Sequence, residues 1–376
     1  MEQGPVPHRV VIVGTGLIGT SAALALRRQG TQVWLSDADP AAAALAADLG
    51  AGQVLPATGL PGGPADVALI AVPPASVAAV LAAAQRAGLA RWYTDVASVK
   101  AQPLAQARAA GCDIARYVPG HPLAGRERSG PAAARSDLFL GRTWALCPAP
   151  EAAPDAVAAV TALAVACGAE PVLTDAATHD RWVALISHAP HVVAAALAAQ
   201  LAAPAVPPEA LQLAGQGLRD ATRIAVGDTE LWRQILTGNA EAVAGVLTAV
   251  AGDLVRAAEG LTGTGSPHSS TSPTSPGAHK ELTALLDQGR AGVARIPGKH
   301  GGPARAFTAI QIVLRDQPGE LARLFAAAAA AGVNIEDVGI EHSPGAPVGV
   351  AELSVRPDAA GPLITALADA GWPVRR

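Results

Sequence analysis

His121 stands between Gly120 and Pro122 in "PGHPLAGRERSG" (119–130), with Arg126, Glu127 and Arg128 close behind it. Imidazole takes up a proton near neutral pH, so a histidine placed at the end of a strand beside a redox cofactor can draw the proton from a substrate hydroxyl. A lone histidine also serves structure, and both readings stand at this point. "YTDVASVK" (93–100) sets Asp95, Ser98 and Lys100 at another strand end. Ser98 reads there as a turn former, a helix cap or a site residue. "HDRWVALISHAPHVV" puts His179, His188 and His191 on one helix; 188 and 191, three apart, share a face. Pro190 lies in mid-helix, where it removes a donor and frees a carbonyl. "LRDATRIAVGDTELW" (218–232) brings Asp220 and Arg223 onto one helical face. They form either a solvated ion pair of little worth or an arginine held by its aspartate to clamp a carboxylate through two parallel hydrogen bonds. Asp228 is placed to cap the next helix, with Trp232 near its start.

These residues need a frame, and the chain supplies one. "RVVIV" (9–13) is an apolar β-branched run, "GTGLIGTSAALALRRQG" a glycine-rich turn and a helix, and "QVWLSD" a second strand. Gly14, Gly16 and Gly19 have the G-x-G-x-x-G spacing. They permit a tight turn, close approach of a pyrophosphate and close packing of helix on strand. Free N–H groups around Leu17 and Ile18 would meet the anion. Asp37, at the end of the second strand, can accept from both ribose hydroxyls and would repel a 2′-phosphate. NAD is therefore favoured over NADP. The glycine pattern alone is weak; following a strand and opening a helix, it indicates dinucleotide binding.

Further strands are expected at 66–74, 91–98 and 115–122, and in "RTWALCPA" and "AEPVLTD", with helices between them. The expected fold class is α/β: a doubly wound parallel sheet over residues 1–173, with His121 on a loop. A helical substrate and dimerisation domain follows over 174–303, carrying a Ser/Thr/Pro/Gly insert at about 263–278 that cannot bury apolar surface. Two long helices are expected at "PEALQLAGQGLRDATRIA" and from "DTELW" to "VRAAE". From 304 to 376 the pattern is strand, helix, strand, strand, helix, strand, a ferredoxin-like βαββαβ unit.

Composition narrows the function. The net charge is −4 with no basic block, which disfavours nucleic acid. The three cysteines are unclustered and read as reduced residues of a cytoplasmic protein. No long apolar run lacks Gly, Pro or charge, and no secretory signal is evident, so a membrane partner is not expected. Histidines 188 and 191 lack further ligands at suitable spacing, so no metal is expected. Of 27 basic residues only Lys100, Lys280 and Lys299 are lysine, which marks them as positions where a compact ammonium is wanted or as chance survivals.

Taken together, "GTGLIGTS", "TDVASVK", "GHPLAGRERSG", "HDRWVALISHAPH" and "DATRIAVGDTELW" resemble, in order and spacing, the prephenate/arogenate dehydrogenase family of tyrosine biosynthesis, over roughly residues 9–300. The tail "LRDQPGELARLFAAAAAAGVNIEDVGIE" looks like an ACT regulatory domain. The resemblance implies NAD-dependent oxidative decarboxylation of prephenate to 4-hydroxyphenylpyruvate, or of arogenate to tyrosine. It implies that His121 accepts the C4 hydroxyl proton and that Ser98 bonds both that hydroxyl and His121. It further implies that His191 shapes the pocket beside the nicotinamide and His188 lies in the substrate region. Arg223, held by Asp220, would anchor a carboxylate, Glu127 gate the pocket and Trp232 contact the substrate region. Asp316, Gly319, Asn334 and Ile335 are the expected effector site for Tyr or Phe, unless the tail serves only dimerisation. A homodimer through the helical domain is expected. Lys299 and His300 belong either to a basic loop near a site or to a plain linker. A related dehydrogenase with a catalytic lysine on its helical domain is disfavoured, since no lysine lies between 100 and 280. A non-catalytic NAD sensor is the remaining rival, opposed by the joint presence of His121, Ser98 and Arg223.

Overall fold

The computed structural model describes residues 5–125, 128–262, 276–296, 307–342 and 348–375. Glu127, Lys299, His300 and nearly all of the Ser/Thr/Pro/Gly insert lie outside the described residues. The chain divides into two compact units, 1–254 and 255–376.

In the first unit, β1 (Arg9–Val13) enters the glycine turn and α1 (Leu17–Arg28). There follow β2 (Gln32–Ser36), α2 (Pro40–Asp48), β3 (Gln53–Val54), β4 (Ala65–Ile70), α3 (Val77–Arg86), β5 (Ala90–Asp95), α4 (Ala101–Ala109) and β6 (Tyr117–Val118). The sheet order is β3-β2-β1-β4-β5-β6, with every pairing parallel. This is the doubly wound dinucleotide-binding order, whose ligand crevice lies at the carboxyl ends where the order reverses between β1 and β4. Alternation in β1 fills two cores. Val10 and Ile12 pack with Leu26, Phe139 and Trp144, while Val11 packs with Trp34, Ile70 and Tyr93 on the other face.

The expected single strand at 115–122 is divided. Pro119, which has no N–H to give a ladder, separates β6 from β7 (Gly120–Pro122). β7 joins a second sheet of order β7-β8-β9 with β8 (Thr143–Leu146) and β9 (Glu170–Leu173); α5 (Pro154–Ala166) lies between the last two in sequence. β7 pairs antiparallel with β8, so the parallel sheet ends at β6 instead of continuing to residue 173. His121 is therefore on a short strand, paired with Ala145, and not on a loop.

No strand occurs among the described residues between β9 and α12. α6 (Ala176–Val183) passes through a π-turn (Ala184–His188) into α7 (Ala189–Leu201). The wide turn ends two residues before Pro190, where the missing donor would otherwise interrupt a regular ladder. By length and composition Ala176–Leu201 matches a membrane-crossing helix, at mean hydropathy 1.5. Its buried side carries His179, Asp180, His188 and His191, the polar groups of the site described below. The next expected helix is broken into α8 (Pro208–Leu211), α9 (Gln216–Thr222) and a 3-10 turn at Arg223–Ala225. The last becomes α10 (Thr229–Gly238) and α11 (Ala240–Thr262), bent by 96° at Asn239. Asn239 leaves helical geometry because its buried amide is used elsewhere, as shown next.

The second unit contains α12 (Pro276–Val293) and the expected βαββαβ succession: β10 (Thr308–Arg315), α13 (Glu320–Ala330), β11 (Asp337–His342), β12 (Val348–Val355), α14 (Pro357–Asp369) and β13 (Val374–Arg375). The antiparallel order β11-β12-β10-β13 is ferredoxin-like. Ile310, Ile312, Leu324, Leu353 and Leu363 fill its core.

Candidate active site

The glycine turn is built as its spacing requires. Gly14 has φ +101°, a left-handed conformation, and a Cβ there would lie 2.2 Å from the carbonyl oxygen of Ala71. A Cβ at Gly19 would lie 1.9 Å from the Gly14 carbonyl oxygen, so α1 can meet the turn only without a side chain. A Cβ at Gly16 would meet nothing within 4 Å among the described residues, which leaves that backbone approachable by a pyrophosphate. Leu17 and Ile18 open α1, whose first N–H groups have no side-chain cap among the described residues. Asp37 lies one residue past β2. Its Oδ2 accepts from the Thr15 N–H (2.5 Å) and hydroxyl (2.9 Å), and its Oδ1 from the Asp39 N–H (2.9 Å). Partial burial raises its pKa, but these hydrogen bonds outweigh it and leave the carboxyl below its ordinary value. The residue expected to read the ribose thus also braces the turn.

A buried polar network lies under β5, β6 and β7. Lys100 has no exposed surface, and its ammonium is ion-paired with Asp95, also fully buried. Nζ donates as well to the Gly120 carbonyl at 2.6 Å, and the Tyr117 hydroxyl donates to the other Asp95 oxygen at 2.5 Å. Lys100 therefore holds the backbone immediately before His121. Gly120 is required there, because a Cβ would stand 2.8 Å from the Asp95 carbonyl oxygen. The rarity of lysine was the sequence signal for this position.

His121 is 9% exposed. Its Nδ1 lies 3.0 Å from Nε2 of His179, whose Nδ1 lies 2.8 Å from Asp180 Oδ1. Asp180 also accepts from the Lys100 and Ala101 N–H groups, both at 2.9 Å, and so caps α4 from α6. Burial drives the His121 pKa well below that of free imidazole; the nearby His179, Lys100 and His188 add to the effect. At neutral pH the ring is a neutral acceptor, the form a general base needs.

Ser98 is half-buried in the turn after β5, close in sequence to this cluster, but it makes no hydrogen bond to His121. His179 occupies the His121 Nδ1 position, so the expected Ser98–His121 bond has only Nε2 of His121 left to it. His179 and Asp180, not assigned from sequence, are the residues that reasoning missed; only their adjacency on the histidine-rich helix marked them.

His188 and His191 are both buried. Asn239 Nδ2 donates to the Asp180 carbonyl (2.7 Å) and contacts His188 Nδ1 (3.2 Å), which explains the break after α10. His188 Nε2 is buried without a partner among the described residues, and burial lowers the ring's pKa to about 4. His191 stacks on Trp232 with centroids 3.5 Å apart and planes at 13°. Burial lowers the His191 pKa against a hydrogen bond to the Ile224 backbone, which raises it. Gly227 admits this stack: a Cβ there would lie 2.3 Å from Trp232 Nε1. Trp232 is thus placed against His191.

Asp228 caps α10 as expected, accepting from the Leu231 N–H at 2.7 Å. Asp220 and Arg223 do not share one regular helix, since α9 ends at Thr222. Asp220 accepts from Gln216 Nε2 at 2.9 Å, and both Asp220 and Arg223 are exposed. In the second unit, Asp316 and Gly319 precede α13, with Gly319 at φ +92°. Asn334 Nδ2 donates to Glu336 at 2.8 Å, and Ile335 packs against the core.

Residues 22–173 match the family model for the nucleotide-binding domain of prephenate dehydrogenase, and residues 175–265 the model for its dimerization domain. A probable prephenate dehydrogenase, NovF, of Streptomyces niveus is 39% identical over 96% of this chain and 98% of its own. The prephenate dehydrogenase of Bacillus subtilis is 31% identical over 62% of this chain and 65% of its own. Among solved structures, prephenate dehydrogenase from A. aeolicus, in complex with hydroxyphenyl propionate and NAD+, superposes with a TM-score of 0.66. It is 25% identical, covering 79% of this chain and all of that one.

Proposed function

The chain belongs to the prephenate dehydrogenase family, and on that premise we propose that it oxidises prephenate with NAD+ and releases CO2, giving 4-hydroxyphenylpyruvate for tyrosine biosynthesis. The observation that carries this reading is the convergence on His121. A neutral, buried imidazole has a histidine–carboxylate chain behind it, in the same compact unit as the Gly14–Gly19 turn. The family's nucleotide-binding domain and the A. aeolicus complex support NAD as the cofactor, and the open approach to Gly16 fits it. Gly14, Gly16, Gly19 and the N–H groups of Leu17 and Ile18 would hold its pyrophosphate, and Asp37 its ribose. When bound, NAD+ supplies the hydride acceptor.

His121 takes the proton of the C4 hydroxyl as the carbon beneath it loses hydride. The carbon–carbon bond to the ring carboxylate then breaks; its electron pair enters the ring and ends on the C4 oxygen, which takes the proton back from His121 as CO2 departs and the ring becomes aromatic. Ser98 would bond the substrate hydroxyl, while His188 and the His191–Trp232 stack bound the pocket. Arg223, with Asp220 nearby, would meet a substrate carboxylate, and Glu127 would gate the entrance.

The same reading assigns residues 1–173 to the nucleotide-binding domain, 174–303 to the helical domain and 304–376 to an ACT domain. In the last, Asp316, Gly319, Asn334 and Ile335 would bind Tyr or Phe and exert feedback. The enzyme would act in the cytoplasm as a homodimer. Trp182, Leu185 and Ile186, all more than half exposed, supply apolar surface that a second copy would cover. Initial rates with prephenate and arogenate, each with NAD+ or NADP+ and with or without tyrosine, test all of this. NAD+-dependent turnover of prephenate is expected. Turnover of arogenate alone would change the substrate, and turnover of neither would remove the enzymatic reading.

A further inference from the structure

The hydrogen-bond chain behind His121 has a direction. Asp180 receives two backbone N–H bonds, from Lys100 and Ala101, and acts there as an acceptor. With its ring neutral, His179 then donates to it from Nδ1–H, which leaves His179 Nε2 as a lone-pair acceptor. His121 Nδ1, 3.0 Å away, must carry its proton to fill that acceptor, so His121 Nε2 is bare. The order is Nδ1–H of His121 to His179, and Nδ1–H of His179 to Asp180. Isolated imidazole side chains prefer the opposite tautomer, with hydrogen on Nε2, in which His121 could not accept a proton at Nε2.

We propose that His179, oriented by Asp180, is a positioning residue that holds His121 in its Nδ1–H tautomer and thereby makes Nε2 the proton acceptor of the reaction. This deepens, and rests on, the reading of His121 as the base. When His121 takes the substrate proton on Nε2, its Nδ1–H remains bonded to His179, and the positive charge is stabilised along a chain that ends in a carboxylate. No proton leaves His121 Nδ1. The arrangement serves the same purpose as the aspartate behind the histidine of serine hydrolases, with a second imidazole inserted as the connector. The burial of all three side chains keeps water from offering His121 another acceptor.

The test measures tautomer and turnover separately. In protein labelled with ¹⁵N-histidine, two-bond proton–nitrogen spectra report which ring nitrogen of His121 is protonated; the signal is assigned by its loss in His121→Asn. Wild type, without substrate, is expected to show protonated Nδ1 and bare Nε2. His179→Leu should shift His121 toward protonated Nε2. It should also lower kcat by about 10²-fold or more with KM nearly unchanged. His179→Gln, which keeps an acceptor oxygen, should restore the Nδ1–H tautomer and recover at least about tenfold of the lost kcat. A protonated Nε2 on His121 in wild type would overturn the proposal, and so would an unchanged kcat in His179→Leu. Should His179→Leu fail to fold, the wild-type spectrum and His179→Gln still decide. Undiminished turnover by His121→Asn would instead remove the base reading on which the proposal rests, while the wild-type spectrum reports the tautomer independently.

Discussion

Two polar regions of the first unit differ in what surrounds them. Around β7 the charged and titratable groups are buried and chained: Lys100 to Asp95 and Gly120, His121 to His179 to Asp180, and Asn239 to Asp180 and His188. Along α9 and α10 the charged groups are exposed, and local contacts join Asp220 to Gln216 and Glu230 to Arg233. In the dry region every group depends on its neighbour, because no water replaces a lost partner. In the wet region water substitutes readily, so such pairs add little. A candidate base is therefore set in the first region, whereas a group meeting a charged, soluble substrate can stand in the second.

The largest break should come from the head of the buried chain. His121→Asn is expected to lower kcat by up to about 10⁴-fold while NAD+ binding, measured by titration, is retained. Removing a buried partner is next. Lys100→Met leaves the Asp95 carboxylate unpaired in the interior and should cost about 3–5 kcal/mol in urea unfolding, with the double variant Lys100→Met/Asp95→Asn recovering part of it.

Acid sharpens the contrast further. The folded-state pKa of His188 is about 4, below the 6.5 of free imidazole. Between those values the unfolded chain binds a proton that the native chain does not, so this contribution to stability is full above about pH 6.5 and declines toward pH 4. Going from pH 7 to 4.5, wild type should lose about 2–3 kcal/mol more than His188→Gln. His121, also lowered by burial, adds a loss of the same sign to both proteins. The smallest effect belongs to the exposed region: Arg233→Gln should leave the unfolding midpoint within the scatter of repeated melts, despite its two-pronged contact with Glu230. A large shift there would contradict the comparison.

Much of this was legible in the residues. The glycine turn, Asp37 after β2, the helix cap at Asp228 and the βαββαβ tail each depend on a few neighbouring positions, and each stands where the spacing placed it. Lys100 announced itself by its scarcity. What was not legible needed partners distant in sequence. Nothing in "GHP" says that His121 bonds a histidine 58 positions away. Pro119 dividing one strand between two sheets, and Asn239 breaking one helix, are both local changes whose outcome was chosen by distant groups: β8 in the first case, Asp180 and His188 in the second.

By itself, then, the sequence determined the order of elements, the turn that meets a dinucleotide and the residue types available for proton transfer, because these follow from short-range periodicity, φ preferences and side-chain chemistry. Only the tertiary structure decided which imidazole backs His121, which nitrogen is left bare, and which charges are dry. Those depend on contacts between α4, α6 and β7, and on the exclusion of water that their packing imposes.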